Sequence, residues 1–175
     1  MKKTVLTYGL ISGGVVTAMM LATVPLEDVI KSKTGDYVLG YTVIVLSALL
    51  IFFGVRSYRQ NVGEGRLTFG RGFAVGILIT LISSACYVAT WELVYFKLMP
   101  GFADKYAARM VEDAKASGGN QQKIEEAEEQ ARQFKVMYNK PLVNIGLTFM
   151  EVFPVGLLVT LASAGILRKK GTGTT

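Results

Sequence analysis

The sequence predicts an all-α, polytopic membrane protein with four transmembrane helices. Four long stretches carry almost no charge. Three of them, at positions 4–26, 37–55 and 72–91, contain no charged residue. The fourth, at 141–167, contains a single one, Glu151. About 20 apolar residues in a helix cross the roughly 30 Å hydrocarbon core of a bilayer, so each stretch is long enough for one crossing.

Each stretch is expected to be helical, because backbone N–H and C=O groups in lipid must be satisfied within the segment itself. The expected helices are 4–24, 37–55, 72–96 and 141–167. We expect them to form a single domain over residues 1–175. The composition agrees, with 51% hydrophobic and 18% charged residues, whereas a soluble domain needs more polar cover.

Between the third and fourth helices, residues 101–140 are predicted to be an extracytoplasmic helical hairpin inserted into this domain. Two narrow apolar stripes at helical spacing predict its helices. The stripes are Ala103, Ala107, Met110 and Ala114, then Ile124, Ala127, Ala131 and Phe134. Glycines at 118 and 119 can end the first helix and Asn120 can cap the second, while Glu128 and Arg132 have i,i+4 spacing. A solvated, charged loop is the alternative interpretation.

The distribution of Lys and Arg predicts the topology. These residues are dense before the first helix, in the 56–71 loop and after the fourth helix, always close to a helix end. In the other two loops they are spread more thinly, and most lie beside Asp and Glu. Because basic residues near helix ends mark the cytoplasmic side, we place both termini and the 56–71 loop in the cytoplasm.

Several kinds of chemistry are excluded by composition. The chain has no histidine, which rules out Ser-His-Asp and Cys-His catalysis and HExxH zinc sites. Its lone cysteine, Cys86, cannot form an intrachain disulfide. The net charge of +6 lies at the ends of apolar stretches, so nucleic-acid binding is not expected. No metal site, cofactor or catalytic residue is predicted, and the chain is not expected to be an enzyme.

Glu151 marks a candidate intramembrane polar site. It lies ten residues after Pro141, roughly 15 Å along the helix at 1.5 Å per residue. Asn144 and Thr148 precede it on one helix face, and the third helix offers Ser83 and Tyr87 at the same depth. Two interpretations stay open: a hydrogen-bonded carboxyl group that fixes helix packing, or a group that relays a proton or cation or lines a polar pocket.

Arginines and glycines provide weaker signals. Arg56, Arg59, Arg66 and Arg71 are candidate contacts for anionic lipid headgroups, although interfacial arginines are common in membrane proteins. Gly9 and Gly13 lie four residues apart, as do Gly72 and Gly76. Such spacing lets helix backbones approach closely, either within one protein or between two copies.

Three further segments have a recognisable sequence: Gly54-Val-Arg-Ser-Tyr-Arg59, Gly65-Arg-Leu-Thr-Phe-Gly-Arg-Gly-Phe73, and Pro154-Val-Gly-Leu-Leu-Val-Thr-Leu161 with the terminal Leu167-Arg-Lys-Lys170. Together they resemble the DUF4199 family. They occur in order over nearly the whole chain. The resemblance implies a small membrane protein of unknown function, of a kind typical of Bacteroidetes, with four transmembrane helices in the bacterial inner membrane. It implies no catalytic residue.

Three functions are therefore considered. The leading expectation is a non-enzymatic scaffold or accessory subunit of a membrane complex, in contact with the lipid bilayer and with a membrane-protein partner or further copies of itself. The first alternative is a small transporter or channel subunit that uses Glu151. A membrane enzyme is the third alternative.

Overall fold

The structure, a computed structural model, describes residues 1–24 and 33–169, and the regular structure within these ranges is helical. Six α-helices follow one another: α1 Lys2–Thr23, α2 Lys33–Asn61, α3 Phe69–Leu93, α4 Phe102–Ala116, α5 Gln121–Tyr138 and α6 Pro141–Ile166. A π-helical segment, Val94–Leu98, follows α3 directly. The predicted all-α class is confirmed. Lys170, the last residue of the terminal segment quoted above, lies outside the described residues.

Three helices of the described chain are long and apolar enough to cross a membrane. They are Lys2–Ala22, Phe69–Leu98 and Pro141–Ile166, with mean hydropathies of 1.7, 2.0 and 1.9. This indicates a multi-pass membrane protein. The stretch predicted at 37–55 lies within α2, which is 29 residues long.

The chain forms two compact units. One comprises Met1–Thr90 and Phe149–Thr175, and the other comprises Trp91–Thr148. The first unit has a core of eight buried residues: Val5, Ile51, Val55, Tyr58, Leu67, Val75, Ile79 and Leu167. This core joins the beginning of α1, the end of α2, the beginning of α3 and the end of α6. Those four helix ends therefore lie at the same end of the first unit.

The connection between α2 and α3 is a tight turn. Arg66 N–H donates to the Gly63 carbonyl at 2.7 Å, and the two residues between them have φ angles of +50° and +80°. Positive φ at both central positions defines a type I′ turn, and glycine at the second of them adopts it without steric cost. α2 itself ends at Asn61, six residues beyond the predicted limit, because hydropathy marks the edge of the apolar stretch and not the end of the helix.

After this turn the chain meets the segment that follows α6. Leu67 N–H donates to the Lys169 carbonyl at 3.1 Å, and Lys169 N–H donates back to the Leu67 carbonyl at 2.9 Å. The pair forms an isolated antiparallel bridge. The bridge thus holds together two segments that are about 100 residues apart in sequence. Arg66, Arg168 and Lys169 lie in these segments, and we call this the basic end of the first unit.

The second unit contains α4 and α5, which pack against each other. Ala103, Ala107 and Ala131 are buried, and the rings of Tyr106 and Phe134 lie 4.8 Å apart. The predicted cap is confirmed, since Asn120 Oδ1 accepts the Lys123 N–H at 3.0 Å.

The predicted ion pair between Glu128 and Arg132 is wrong. Arg132 instead contacts Glu129 at 2.7 Å with i,i+3 spacing. Glu129 also accepts from Gln133 at 2.9 Å. Hydrogen bonds from Gln133 and Arg132, together with the Arg132 charge, lower the pKa of Glu129. Both spacings bring side chains together on a helix, so sequence alone could not separate them.

Candidate functional site

Paired hydroxyl groups link the apolar helices of the first unit. Ser12 on α1 bonds Ser83 on α3 at 3.0 Å, so the hydroxyl of Ser83 is engaged inside the helix pair. Nearer the end of α3, Thr17 and Thr90 are 2.8 Å apart. The Thr90 hydroxyl donates to the Cys86 carbonyl, so Thr17 is the donor in its bond to Thr90.

A third pair joins α3 to α6. The hydroxyls of Thr80 and Thr160 are 3.0 Å apart, and both residues are buried. Thr80 also donates to the Gly156 carbonyl at 3.4 Å, which leaves Thr160 as donor to Thr80. In a low-dielectric interior each such polar group needs a partner, and here the helices supply one to each other.

Glycines bring these helix backbones close, as the spacing of small residues predicted. A Cβ added to Gly13 would lie 2.6 Å from Cys86 Sγ, and one added to Gly76 would lie 2.7 Å from Thr160 Cγ2. A Cβ added to Gly156 would lie 2.3 Å from Thr80 Cγ2. Real Cβ atoms essentially never approach other atoms this closely, so a side chain added at any of the three positions would force its neighbour to shift. Intramolecular packing accounts for these faces.

Asn144 and Thr148 belong to a hydrogen-bonded group in the second unit. Asn144 is fully buried, and its Oδ1 accepts from Trp91 Nε1 and from Thr148 Oγ1, each at 3.1 Å. Its Nδ2 donates to the Tyr138 carbonyl at 3.1 Å. The amide oxygen thus has two donors and the amide nitrogen one acceptor, which leaves little capacity for another ligand. Sequence reasoning missed Trp91 as a partner.

Glu151 differs from every other polar residue of the predicted site, because its side chain is exposed. Ser83, Asn144 and Thr148 are buried, and Tyr87 is half-buried. Within the described part of the chain, Glu151 makes no hydrogen bond or ion pair. No group of three or more metal-ligating side chains occurs among those residues either.

The candidate lipid-binding arginines are placed unequally. Arg56, Arg66 and Arg71 are exposed. Arg59 is half-buried, and its Nη1 donates to the Leu167 carbonyl at 3.4 Å. A cation at the last carbonyls of a helix is favourable because the C-terminal end of the helix dipole is negative. Arg59 therefore stabilises the end of α6.

The end of the third apolar helix has the aromatic surroundings typical of a membrane interface. The ring of Phe102 lies 5.0 Å from that of Trp91 and 6.1 Å from that of Tyr95. Tyr95 donates its hydroxyl to Asn139 at 2.9 Å. Glu92 is half-buried, and its Oε1 has no hydrogen-bond partner in the described residues.

Residues 7–169 match the family DUF4199, which is described as a protein of unknown function. The chain is a DUF4199 protein. Neither the curated proteins nor the solved structures contain a match.

The segments that resemble the DUF4199 family have structural roles here. Gly54 lies where an added Cβ would be 2.5 Å from Ile79 Cδ1 and 3.1 Å from Tyr8 Cβ. Leu67 is 2% exposed and forms the bridge to Lys169. The Pro154–Leu161 segment contains Gly156 and Thr160, which pack against Thr80. These motifs of the DUF4199 chain therefore specify helix packing and the basic end of the first unit.

Proposed function

We propose that this DUF4199 protein is a non-enzymatic scaffold or accessory subunit that assembles with membrane proteins through the outward face of α6. The exposure of Glu151 carries the proposal. A charged side chain at the centre of a transmembrane helix costs at least about 2.5 kcal/mol on insertion scales. This cost falls when another protein surface covers the carboxyl group and supplies a hydrogen bond.

Four membrane crossings with both termini on one side fit this proposal. The core that contains Val5, Leu67 and Leu167 supports it, because the beginning of α1 and the end of α6 then share one membrane face. Crossings by α1, α3 and α6 alone would be odd in number and would separate these ends. α2 supplies the fourth, with 19 uncharged residues at positions 37–55.

We assign the end of the first unit that contains the beginning of α1 and the end of α6 to the cytoplasmic side of the bacterial inner membrane. Exposed basic residues gather there, with Arg56, Arg66 and Arg71 beside the turn and Arg168 and Lys169 after α6. The bridge from Leu67 to Lys169 supports grouping these two segments. We assign the three exposed arginines of the 56–71 loop to anionic headgroups, and the α4–α5 region to the opposite, extracytoplasmic side.

The experiment compares two substitutions of Glu151. Glutamine keeps the shape and can both donate and accept hydrogen bonds, whereas leucine can do neither. We expect Glu151→Leu to shift the protein from a larger to a smaller complex in native electrophoresis of solubilised membranes, and Glu151→Gln to leave the complex intact. Leu81→Ala, at an exposed position in the middle of α3, is the control. A complex that is unchanged by Glu151→Leu contradicts the proposal.

A small transporter or channel subunit is the second candidate function, because a carboxyl group at mid-depth could carry a proton between subunits. Growth of a deletion strain complemented with each variant separates the two functions. An amide cannot titrate, so Glu151→Gln should complement if the carboxyl only holds a complex together. If Glu151→Gln is stable and assembled but fails to complement, transport becomes the better explanation.

A further inference from the structure

Charge is distributed unevenly along α4, α5 and the segments that join them to α3 and α6. We define the α4–α5 base as residues 97–109 and 132–140, and the α4–α5 tip as residues 110–131. Both lie within the second unit. The basic residues of the base are Lys97, Lys105, Arg109, Arg132, Lys135 and Lys140. Its one acidic residue, Asp104, is paired with Lys135.

The α4–α5 tip has the opposite charge. Its acidic residues are Glu112, Asp113, Glu125, Glu126, Glu128 and Glu129. Against these six it has two basic residues, Lys115 and Lys123. The sign of the net charge therefore changes along the length of the α4–α5 pair.

Exposed apolar side chains follow the same division. In the base, Val136 and Met137 in the last turn of α5 are 62% and 46% exposed, and Leu98 is 49% exposed. The large apolar residues of the tip, all of which the structure describes, are mostly buried: Met110, Val111 and Ile124. Positive charge and exposed apolar surface thus occur together in the base.

The base joins two helices that are long and apolar enough to cross a membrane. The span that begins with α3 extends to Leu98, and the span of α6 begins at Pro141. The Tyr95 hydroxyl donates to Asn139 at 2.9 Å, which holds the two ends side by side. The membrane boundary of both helices therefore lies at the α4–α5 base.

The end of α5 lies close to this boundary. Lys140 N–H donates to the Met137 carbonyl at 3.1 Å, and Asn144 N–H donates to the Lys140 carbonyl at 2.9 Å, so the chain keeps helical turns from α5 into α6. At 1.5 Å per residue, Val136 is at most roughly 7.5 Å from Pro141. The headgroup layer on each side of a bilayer is roughly 5–8 Å thick, so the last turn of α5 falls within it.

We propose that the α4–α5 base is embedded in the headgroup layer of the leaflet in which α6 begins. Val136 and Met137 contact the upper part of the acyl chains, and Lys97 and Lys140 bind lipid phosphates. Both lysines are exposed and make no ion pair within the described residues. A lysine stem can lie along apolar surface while its ammonium group reaches a polar layer.

Two observations favour lipid over a protein partner at this surface. The exposed apolar residues of α5 continue into Leu142 at the start of α6, which is 84% exposed. The charge also changes sign with distance from the membrane boundary, as a negative lipid surface requires, because it attracts basic residues and repels acidic ones. This inference goes beyond the proposed function and does not depend on what covers Glu151.

The first test measures depth in the bilayer, with the full chain at one copy per lipid nanodisc. Single cysteines at Met137 and Gln130, in a Cys86→Ser background, carry a fluorophore. Both positions are exposed and lie seven residues apart on one face of α5, a separation of about 10 Å. Nitroxide-labelled lipid should quench Met137→Cys, and aqueous iodide should quench Gln130→Cys. Equal quenching of both by iodide would overturn the proposal. Protection of Met137→Cys from both quenchers would mean that protein covers it, and would overturn the proposal too.

The second test reverses charge, in nanodiscs of anionic phospholipid. Lys97→Glu combined with Lys140→Glu should lower the quenching of Met137→Cys by nitroxide-labelled lipid. Lys115→Glu combined with Lys123→Glu changes the net charge equally, but in the α4–α5 tip, and should leave that quenching unchanged. Equal losses from the two pairs, or no loss from either, would overturn the binding of lipid phosphates by Lys97 and Lys140.

Discussion

The polar residues of the predicted site differ in whether other residues of the chain hydrogen-bond to them. Ser83 bonds Ser12, Thr80 bonds Thr160, and Asn144 bonds Trp91. Glu151 alone among the predicted polar site residues is exposed without a hydrogen bond in the described chain. The inner pairs fix helix contacts, whereas Glu151 has no such partner among the described residues.

The sequence could give the depth of each polar residue in the membrane, but it could not give the direction in which its side chain points. A helix rises 1.5 Å per residue, so positions along α3 and α6 gave the level of each hydroxyl and carboxyl group. Which of them meet depends on how each helix is rotated against its neighbours. The spacing of Gly72 and Gly76 marks a close-packing face of α3, but the residues that lie against Gly76 and Gly156 are distant in sequence, so the local pattern could not identify them.

A pair of glycines on α6 tests this packing at single residues. Gly156→Ala should destabilise the protein by about 1–3 kcal/mol, the usual cost of overpacking, because its Cβ would lie 2.3 Å from Thr80 Cγ2. Gly146→Ala should be neutral or slightly stabilising, since an added Cβ there meets nothing within 4 Å and alanine favours a helix. Unfolding in mixed micelles gives both values, and equal losses would refute the close contact.

Among the elements, α4 and α5 follow the apolar stripes most directly. Ala103, Ala107 and Ala131 are buried as the spacing required, and Asn120 caps α5. The π-helical segment Val94–Leu98 was not predicted. A single widened turn changes the register by one residue and has no hydropathy pattern of its own, whereas a stripe repeated over four turns does.

The α4–α5 contact predicts the behaviour of a soluble fragment of residues 101–138. It should be partly helical by circular dichroism, and weakly so because short isolated helices are marginal in water. Phe134→Asp should reduce this helicity, since the ring of Phe134 lies 4.8 Å from that of Tyr106 and stacks on that of Tyr138 at 4.4 Å. Val136→Asp, at a position 62% exposed, should change it less. A wholly coil spectrum, matched by fast hydrogen exchange of this region in the intact protein, would favour the charged-loop interpretation.

At the scale of the whole molecule, charge and packing group the same three regions of the chain by independent arguments. The density of basic residues groups the N-terminus, the 56–71 loop and the C-terminal segment. The core containing Val5, Leu67 and Leu167 groups the same three regions, and the bridge between Leu67 and Lys169 ties two of them. The sequence could supply only the argument from basic residues. The bridge could not be predicted, because no local pattern in the two segments shows that they pair.

Single cysteines at Asn61 and Asn120, each in a Cys86→Ser background, test this topology. Both positions are exposed; Asn61 ends α2 and Asn120 caps α5. Because α3 is long and apolar enough to cross the bilayer between them, the two cysteines should react from opposite sides. An impermeant maleimide added to intact cells should label only Asn120→Cys, and both should react once the membrane is opened. Labelling of both variants in intact cells would contradict the four-crossing arrangement, and with it the placement of the arginine-rich turn on the cytoplasmic side.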